Sequence, residues 1–203
     1  MNIRVASPED AQTLVEIYAP YVKDTIVTFE YSVPTVEEFA GRIRHTLEKY
    51  PYLVAEDDGR ILGYTYASAF KSRAAYNWSV ETTIYVRQGK QHHGTGSALY
   101  KALEEQLSRQ HICNLCACIA YPNPASIEFH KKFGYVSIAH FHRSGYKLGA
   151  WQDMVWMEKE LCPHTVPPQP FVPFSQLPPF LPPQERSFHE HEHYQAVPPE
   201  IDS

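Results

Sequence analysis

Apolar residues recur at intervals of three and four over two stretches near the start of the chain, which predicts two amphipathic helices. The first follows SPED (7–10), where a serine can cap the helix, a proline takes its first position and acidic residues follow. The second follows TVEE (35–38), a capping box before further apolar residues at helical spacing. The first 50 residues therefore predict two helices that each bury one face.

The pattern then changes from helices to strands. YLVA (52–55) and ILGYTYA (61–67) flank the turn DDG (57–59), and this arrangement predicts a β-hairpin. A polar link separates the hairpin from SVETTIYV (79–86), which predicts a third strand.

The second half of the chain alternates helices and strands. A helix with a face of alanines and leucines comes first, and a strand at 112–120 follows it. NP (123–124) begins a short helix, before two final strands at 135–143 and 152–160. A strand–helix–strand unit implies a parallel pair, so we expect an α+β fold: one mixed sheet with helices on both faces.

Composition restricts the classes of partner. The chain has 203 residues, of which 43% are hydrophobic and 20% charged, and its net charge is -5. Nucleic acids and anionic membranes require concentrated basic residues, so neither is expected as a partner. No apolar run approaches the roughly 18 residues of a membrane span, and the first residues lack the apolar core of a signal peptide. A cytoplasmic protein is the resulting expectation.

Prolines divide the chain near residue 162. Six of the 17 prolines precede Leu161, and the other eleven lie in the last 42 residues. Proline fixes φ and lacks a backbone donor, so we predict a domain at 1–161 and a disordered or polyproline-II tail at 162–203. Phenylalanines in this tail could dock on the domain or on a partner. HEHEH (189–193) could chelate a metal in vitro, although a solvated charge run is the preferred interpretation.

A glycine-rich loop, QHHGTG (91–96), follows the third strand and begins a helix. Unpaired N–H groups and the helix dipole would converge there on an anion such as phosphate, although a plain turn remains an alternative. The loop matches neither the Walker nor the three-glycine dinucleotide pattern. His92 and His93 lack a third metal ligand. The four cysteines are predicted to be reduced thiols, three of them in a buried strand.

Two blocks in this order resemble a known family. The loop 91–96 resembles the Q/R-x-x-G-x-G/A signature with which GNAT acyltransferases bind the pyrophosphate of acetyl-CoA. NPASIEFHKKFGY (123–135) resembles the second conserved block of that family. FKSRAAYNWSVETTIYV (70–86) and GYKLGAWQDMVWM (145–157) are similar to phosphinothricin N-acetyltransferases and their methionine-sulfoximine-acetylating relatives. The resemblance covers about residues 1–161.

The resemblance implies a GNAT fold whose two central parallel strands splay apart, a homodimer, and acetyl-CoA as co-substrate without a metal. The loop would cradle the pyrophosphate, and the third strand and the second block would hold the pantetheine arm. The cofactor contacts it implies are Ile84, Tyr85, Val86, Gln91, His92, His93, Gly94, Thr95, Gly96, Ser97, Asn123 and Ser126.

Two residues are candidates for acid–base chemistry. Glu81 lies in an apolar, aromatic strand, where a carboxylate is costly unless it is functional or paired, and the resemblance implies a general base. An exposed strand face is the alternative. His130 matches the position of a proton donor to the thiolate in many GNAT enzymes, and the roles of general acid and of partner base to Glu81 are both open. No cysteine lies in the matched site, so direct transfer is expected.

The acceptor is the least specified partner. The resemblance places Phe29, Lys71, Arg73 and Tyr76 around it, and a cation there would pair with the carboxylate of an amino-acid-like substrate. Trp151 and Asp153 recur in the matched block and are expected to pack or to form the dimer. We expect N-acetylation of a small amino-acid-like α-amine. The alternatives are acetylation of a protein N-terminus or another amine, or a coenzyme-A-binding module whose proline-rich tail recruits a partner.

Overall fold

A computed structural model of the chain describes residues 1–89 and 94–180. These residues form seven strands and four α-helices, joined by loops and single 3₁₀ turns. In chain order they are β1 (Asn2–Val5), α1 (Ala11–Asp24), α2 (Val36–Lys49), β2 (Tyr52–Asp57), β3 (Arg60–Ala69), β4 (Ser79–Val86), α3 (Thr95–Arg109), β5 (Asn114–Tyr121), α4 (Pro124–Lys132), β6 (Val136–Lys147) and β7 (Ala150–Glu160).

The strands form one mixed sheet in the order β1-β2-β3-β4-β5-β7-β6. Only β4 and β5 are parallel, and the other neighbouring pairs are antiparallel. The predicted mixed sheet with helices on both faces is confirmed. The prediction missed β1, a four-residue edge strand that pairs Ile3 with Ala55. So short a segment has no periodicity of its own, and it becomes a strand through its pairing with β2.

The parallel pair separates after three residues. Ser79–Glu81 pair with Asn114–Cys116, and β4 then follows β3 up to Val86 while β5 follows β7 up to Tyr121. The expected splay of the two central strands is therefore present. It opens a gap in the middle of the sheet, where β4 and β5 face each other but are not joined by backbone hydrogen bonds.

Two apolar layers enclose the sheet. On one face α3 buries Leu99, Leu103 and Leu107 completely, as its helical spacing of leucines predicts. On the other face α1 and α2 bury Leu14 and Ile43 against β2 and β3. Each such side chain contributes about 1.5 to 3 kcal/mol when it leaves water. The central strands are thereby held between two packed layers, and the gap between them keeps its shape.

The final hairpin is longer than its pattern predicts. Strands were expected at 135–143 and 152–160, but β6 reaches Lys147 and β7 begins at Ala150. A register shift between Phe141 and Gly145 interrupts the alternation and hides the continuity of β6. The Asp153 carboxylate accepts a 2.8 Å hydrogen bond from the backbone N–H of Arg143 within this bulge. Asp153 thus joins the two strands at the bulge through a hydrogen bond.

Residues 162–180 of the predicted disordered or polyproline-II tail lie against the domain, which agrees with the alternative that its phenylalanines dock there. Trp78 donates its indole N–H to the carbonyl of Gln169 (2.7 Å), and the Gln110 amide donates to the carbonyl of Val172 (2.9 Å). Phe171 and Phe180 pack on the α3-side core. A proline-rich chain keeps its carbonyls free to accept, and apolar rings between the prolines give it surface to bury. Residues 181–203 lie outside the described residues.

Two truncations separate these parts of the tail. Ending the chain after Phe180 retains every contact just described, so it should leave the free energy of unfolding unchanged. Ending it after Leu161 removes the Phe171 and Phe180 packing and should lower that free energy by roughly 2 to 4 kcal/mol. Urea denaturation of both variants measures the difference. Equal stabilities would contradict a docked segment.

Candidate active site

A cleft of about 320 Å³ opens where β4 and β5 separate. Its walls come from both strands, from the start of α4 and from the loop after α1. The predicted site residues that line it are Phe29, Glu81, Ile84, Tyr85, Asn123, Ser126 and His130. The fold thus brings one candidate acceptor contact, four candidate cofactor contacts and both candidate catalytic residues to one place.

Glu81 occupies the last paired position before the strands separate. Its side chain is partly buried, and within residues 1–89 and 94–180 no hydrogen bond reaches its carboxylate. Burial raises the pKa of Glu81, and the nearby positive charge of Lys71 opposes that shift. A carboxylate with a raised pKa is a stronger base than an ordinary one, which suits a proton acceptor in this cleft.

The three predicted acceptor residues of the 71–76 segment have different placements. The Lys71 ammonium lies 5.0 Å from the ring centre of Phe70 and 5.6 Å from that of Trp156, which holds its charge near Glu81. Tyr76 packs edge-on against Phe70 and is 39% exposed, and Arg73 lies at the start of a 3₁₀ turn. None of the three forms part of the cleft wall.

His130 is buried, with 3% of its surface exposed. Its Nδ1 lies 2.8 Å from the carbonyl oxygen of Ser126, and that oxygen can only accept, so Nδ1 carries the proton. Its Nε2 then accepts from the Tyr100 hydroxyl at 2.7 Å. Burial lowers the pKa of His130, against a smaller opposing effect of the Ser126 carbonyl. The imidazole is therefore neutral at pH 7.

A buried chain of hydroxyls continues from this histidine. The Tyr100 hydroxyl lies 2.8 Å from Thr82 Oγ1, which is also 3.3 Å from the Tyr135 hydroxyl. The Thr82 hydroxyl is within 3.2 Å of the Cys116 carbonyl. Sequence reasoning missed this network. A signal was present, because Tyr100 lies at a core position of α3, where a buried tyrosine hydroxyl needs a hydrogen-bond partner.

Two glycines at the start of α3 are required for different reasons. Gly94 precedes the helix with a φ of 77°, a left-handed conformation that favours glycine. Gly96 has an ordinary backbone, and a Cβ there would lie 3.3 Å from Cε2 of Phe129. The absence of a side chain at Gly96 therefore allows α3 to pack closely on α4. This role is additional to the predicted one, which is to let a ligand approach the main chain. Ser97 lies in the same first turn. Gln91, His92 and His93 lie outside the described residues.

Two polar groups, one at the start of α3 and one on the cleft wall, are suited to coenzyme A. Thr95 Oγ1 is buried at the first turn of α3 and has no hydrogen-bond partner within residues 1–89 and 94–180. Asn123 Oδ1 accepts from the Ser126 N–H at 3.2 Å, which leaves the amide N–H₂ available to a carbonyl in the cleft. A helix N-terminus for phosphate, and an amide donor beside a gap in the sheet, both suit that ligand.

The far wall of the cleft depends on β6. The buried Lys147 donates from Nζ to the carbonyl of Thr28 at 2.6 Å, and burial lowers its pKa. The ring of Phe29 lies directly on Gly145, where a Cβ would overlap it. Tyr31 donates its hydroxyl to the carbonyl of Tyr146. β6 therefore fixes the loop that carries Phe29, and sequence reasoning missed this dependence.

One expectation about cysteine is wrong. No cysteine was expected in the site, yet Cys118 lines the cleft. β5 alternates between its two faces, so Cys118 faces the side of Glu81 while Ala117 and Ile119 face α3. Burial, with a smaller contribution from the Glu81 carboxylate, raises the pKa of the Cys118 thiol to about 11. The thiol is protonated at neutral pH and is a poor nucleophile, so direct transfer is still favoured.

Comparison with known proteins identifies the fold. The family model described as "Acetyltransferase (GNAT) domain" matches residues 3–156. This chain belongs to the GNAT acetyltransferase family. The seven-stranded mixed sheet with one parallel pair is that family's fold, and the chain is a GNAT-type N-acetyltransferase.

Individual GNAT relatives agree with the family. A phosphinothricin N-acetyltransferase of Streptomyces viridochromogenes is 32% identical, over 87% of this chain and 96% of its own length. An L-methionine sulfoximine/L-methionine sulfone acetyltransferase of Salmonella typhimurium is 31% identical, over 82% and 98%. The crystal structure of a phosphinothricin acetyltransferase from Sinorhizobium meliloti in complex with AcCoA superposes with a TM-score of 0.79 at 31% identity, covering 85% of this chain and 96% of that one.

Among the helices of residues 1–89 and 94–180, none is both long enough and apolar enough to cross a bilayer.

Proposed function

We propose that this GNAT enzyme transfers an acetyl group from acetyl-CoA to the α-amine of a small amino-acid-like acceptor of the phosphinothricin or methionine sulfoximine type. The observation that carries the proposal is the placement of Glu81: a partly buried carboxylate with a raised pKa, at the point where β4 and β5 separate. The names of the similar proteins support the acceptor class.

The donor would lie along the gap between the central strands. The first turn of α3, with Gly94, Thr95, Gly96 and Ser97, would hold the pyrophosphate together with the preceding loop. Backbone groups of 84–86 and the side chains of Asn123 and Ser126 would hold the pantetheine arm. The Tyr21 hydroxyl already donates to the Val86 carbonyl at 2.5 Å, so that carbonyl serves to position β4. When bound, acetyl-CoA supplies an activated acetyl thioester.

Glu81 is the principal base of the proposal. An amine attacks only after it loses a proton, and Glu81 can take that proton directly or through one water molecule. The positive charge of Lys71 opposes the rise in the pKa of Glu81 and so favours its ionised, proton-accepting form. The neutral His130 supports the site as a hydrogen-bond acceptor for Tyr100 and not as an imidazolium acid.

Charge around the cleft favours an anionic acceptor over a polyamine. Glu30 also lines the cleft, but Arg42 pairs with its carboxylate at 2.7 Å. Lys71 contributes a positive charge beside Glu81, suited to the carboxylate or the phosphinate of an amino-acid analogue. Phe29 closes the wall against a larger chain. Arg73 and Tyr76 would contact an acceptor from the loop that flanks the opening.

A free-thiol release assay tests the proposed acceptor. The full chain is given acetyl-CoA with phosphinothricin, methionine sulfoximine, spermidine or a short peptide with a free N-terminus. We expect the first two to give the highest kcat/KM. A higher kcat/KM for spermidine or for the peptide would overturn the proposed acceptor class. Binding of acetyl-CoA without turnover of any amine would favour a coenzyme-A-binding module.

His130→Ala tests the neutral-imidazole role. We expect kcat to fall by roughly 100-fold, since the Tyr100–Thr82 hydrogen bonds lose their anchor. In the wild type, kcat should not decline as the pH rises from about 7 to 8, because burial lowers the pKa of His130 and its neutral imidazole has no proton to lose there. A decline in that interval that His130→Ala removes would identify an imidazolium acid instead.

We also propose that the enzyme is a homodimer joined through the β6–β7 hairpin. Large apolar side chains of this hairpin are exposed, with Trp151 at 63%; they are Val136, Ile138, Phe141, Tyr146, Leu148 and Trp151. A second copy of the same hairpin would cover them. Light scattering of wild type and Trp151→Glu tests this, and a monomeric wild type would refute it.

No partner is proposed for residues 162–180, because they contact the domain. The cytoplasmic location stays a prediction from sequence.

A further inference from the structure

Two histidines and one aspartate meet on the β6–β7 hairpin, outside the cleft. His140 and His142 alternate along β6 and so share one face, and Asp153 of β7 lies beside them. His140 Nε2 is 2.8 Å from Asp153 Oδ2, and His142 Nδ1 is 3.1 Å from the same oxygen. One ligand atom from each residue lies within 4.8 Å of the other two.

The surroundings hold these side chains in place. The other Asp153 oxygen, Oδ1, accepts the Arg143 N–H at 2.8 Å, which fixes the carboxylate and leaves Oδ2 toward the histidines. The His140 ring packs on Tyr121 with ring centres 4.8 Å apart, and the two imidazoles stack at 4.4 Å. Ligand residues on paired strands, each oriented by a further contact, are what a metal site requires.

We propose that His140, His142 and Asp153 form a binding site for a divalent transition metal of the zinc class. Two imidazoles with one carboxylate suit Zn²⁺, Ni²⁺ or Cu²⁺ better than Mg²⁺ or Ca²⁺, which prefer oxygen ligands. Water would complete the coordination, since His142 is 76% exposed at its side chain. The cation would take the place of the N–H protons that now join both rings to Asp153, and each ring would then carry its proton on its other nitrogen.

The distances allow this exchange. Bonds of about 2.0 to 2.1 Å at tetrahedral angles separate neighbouring ligand atoms by roughly 3.4 Å. The present nitrogen–oxygen separations are 2.8 and 3.1 Å and the two nitrogens lie within 4.8 Å of each other, so the rings must move away from Asp153 and turn toward a common point. The exposed His142 ring can make that adjustment without disturbing the core.

The proposed metal would stabilise the hairpin and not take part in acetyl transfer. None of the three residues lines the cleft, and Glu81 and His130 are on other strands and helices. The cluster spans β6 and β7 at the bulge, where the strand pairing is interrupted. A cation there would join the two strands across the break, and its binding energy would add to the free energy of unfolding.

The test must separate this cluster from the histidines of the tail. HEHEH (189–193) is also in the chain, so the reference protein is the full chain with His189, His191 and His193 changed to alanine. Zn²⁺ is titrated into it by calorimetry, with Co²⁺ absorption as a second readout. We expect one bound Zn²⁺ per chain, and an affinity at least tenfold lower after His142→Ala. Zn²⁺ should raise Tm in the reference protein but not in the His142→Ala variant.

His45→Ala is the matched control. His45 is an exposed histidine that faces Glu48 at 3.5 Å but lacks a second imidazole, so its loss should not change the Zn²⁺ affinity. His140→Ala should reproduce the effect of His142→Ala. The proposal is overturned if the reference protein binds no Zn²⁺, or if His142→Ala and His140→Ala bind it as tightly as the reference does.

Discussion

Glu81→Gln is expected to lower kcat of acetyl transfer by roughly 10²- to 10⁴-fold, while the affinity for acetyl-CoA stays within about twofold of wild type. The amide keeps the size of the side chain but cannot accept the amine proton. Steady-state kinetics with the best acceptor measure kcat, and calorimetry measures donor binding. The separation between the two results distinguishes lost chemistry from a damaged site.

Glu158→Gln is the control for this substitution. Glu158 lies on β7 opposite Cys116, which in turn pairs with Glu81, so both glutamates lie at the same level of the sheet. Its side chain is exposed and lines no part of the cleft. We expect its kcat to match that of wild type. Equal losses from both substitutions would assign the effect to the sheet and not to a base.

The pH dependence of kcat/KM gives a second test of Glu81 as the general base. Glu81 acts when ionised, and its pKa is raised, so kcat/KM should fall as the pH drops through that raised pKa and be retained above it. Lys71 lowers the pKa of Glu81, so Lys71→Met should move the acidic limb to higher pH. An unchanged acidic limb in Lys71→Met would contradict the placement of this charge beside the base.

Gly145→Ala is expected to raise KM for the acceptor by roughly tenfold or more and to cost about 1 to 3 kcal/mol of unfolding free energy. The added methyl group would overlap the Phe29 ring, and Phe29 forms part of the cleft wall. The ring must swing away, and the acceptor then loses a contact surface. Kinetics at saturating acetyl-CoA, together with urea denaturation, measure both effects.

The companion variant Phe29→Leu provides the sharper readout. Leucine lacks the part of the ring that Gly145→Ala would displace, so the double variant should recover most of the lost stability. Gly41→Ala is the control, since a Cβ in that helix would meet only an arginine tip at 4.0 Å. Additive losses in the double variant would mean that the methyl group acts elsewhere in β6.

The sequence predicted those helices and strands whose periodicity or capping residues lie within the element itself. The strand 79–86 and the helix that starts at Pro124 agree with the structure, because alternation and a capping Asn–Pro pair act over a few residues. β1 was not predicted, and the tail pattern left open whether residues 162–180 dock on the domain, for the same reason. Each is ordered by distant partners, such as Gln110 for Val172, and not by its own sequence.

The sequence proposed candidate site residues but not their arrangement. The motifs identified Glu81 and His130, yet only the separation of β4 and β5 puts both on one cleft. The neutral tautomer of His130 depends on Tyr100 and Ser126, which the motifs did not connect. Cys118 lies in the cleft because successive residues of β5 face opposite sides of the sheet.

By itself, the sequence determined the order of the elements after the edge strand, a glycine-rich loop suited to an anion, and the carboxylate and imidazole candidates; the acetyl donor came from the family resemblance of that loop. Only the tertiary structure decided what those residues touch. Lys147 contacts Thr28 across 119 positions of sequence, and His140 meets Asp153 across 13. Periodicity records which side of an element is buried, whereas contacts between elements depend on how the whole chain packs.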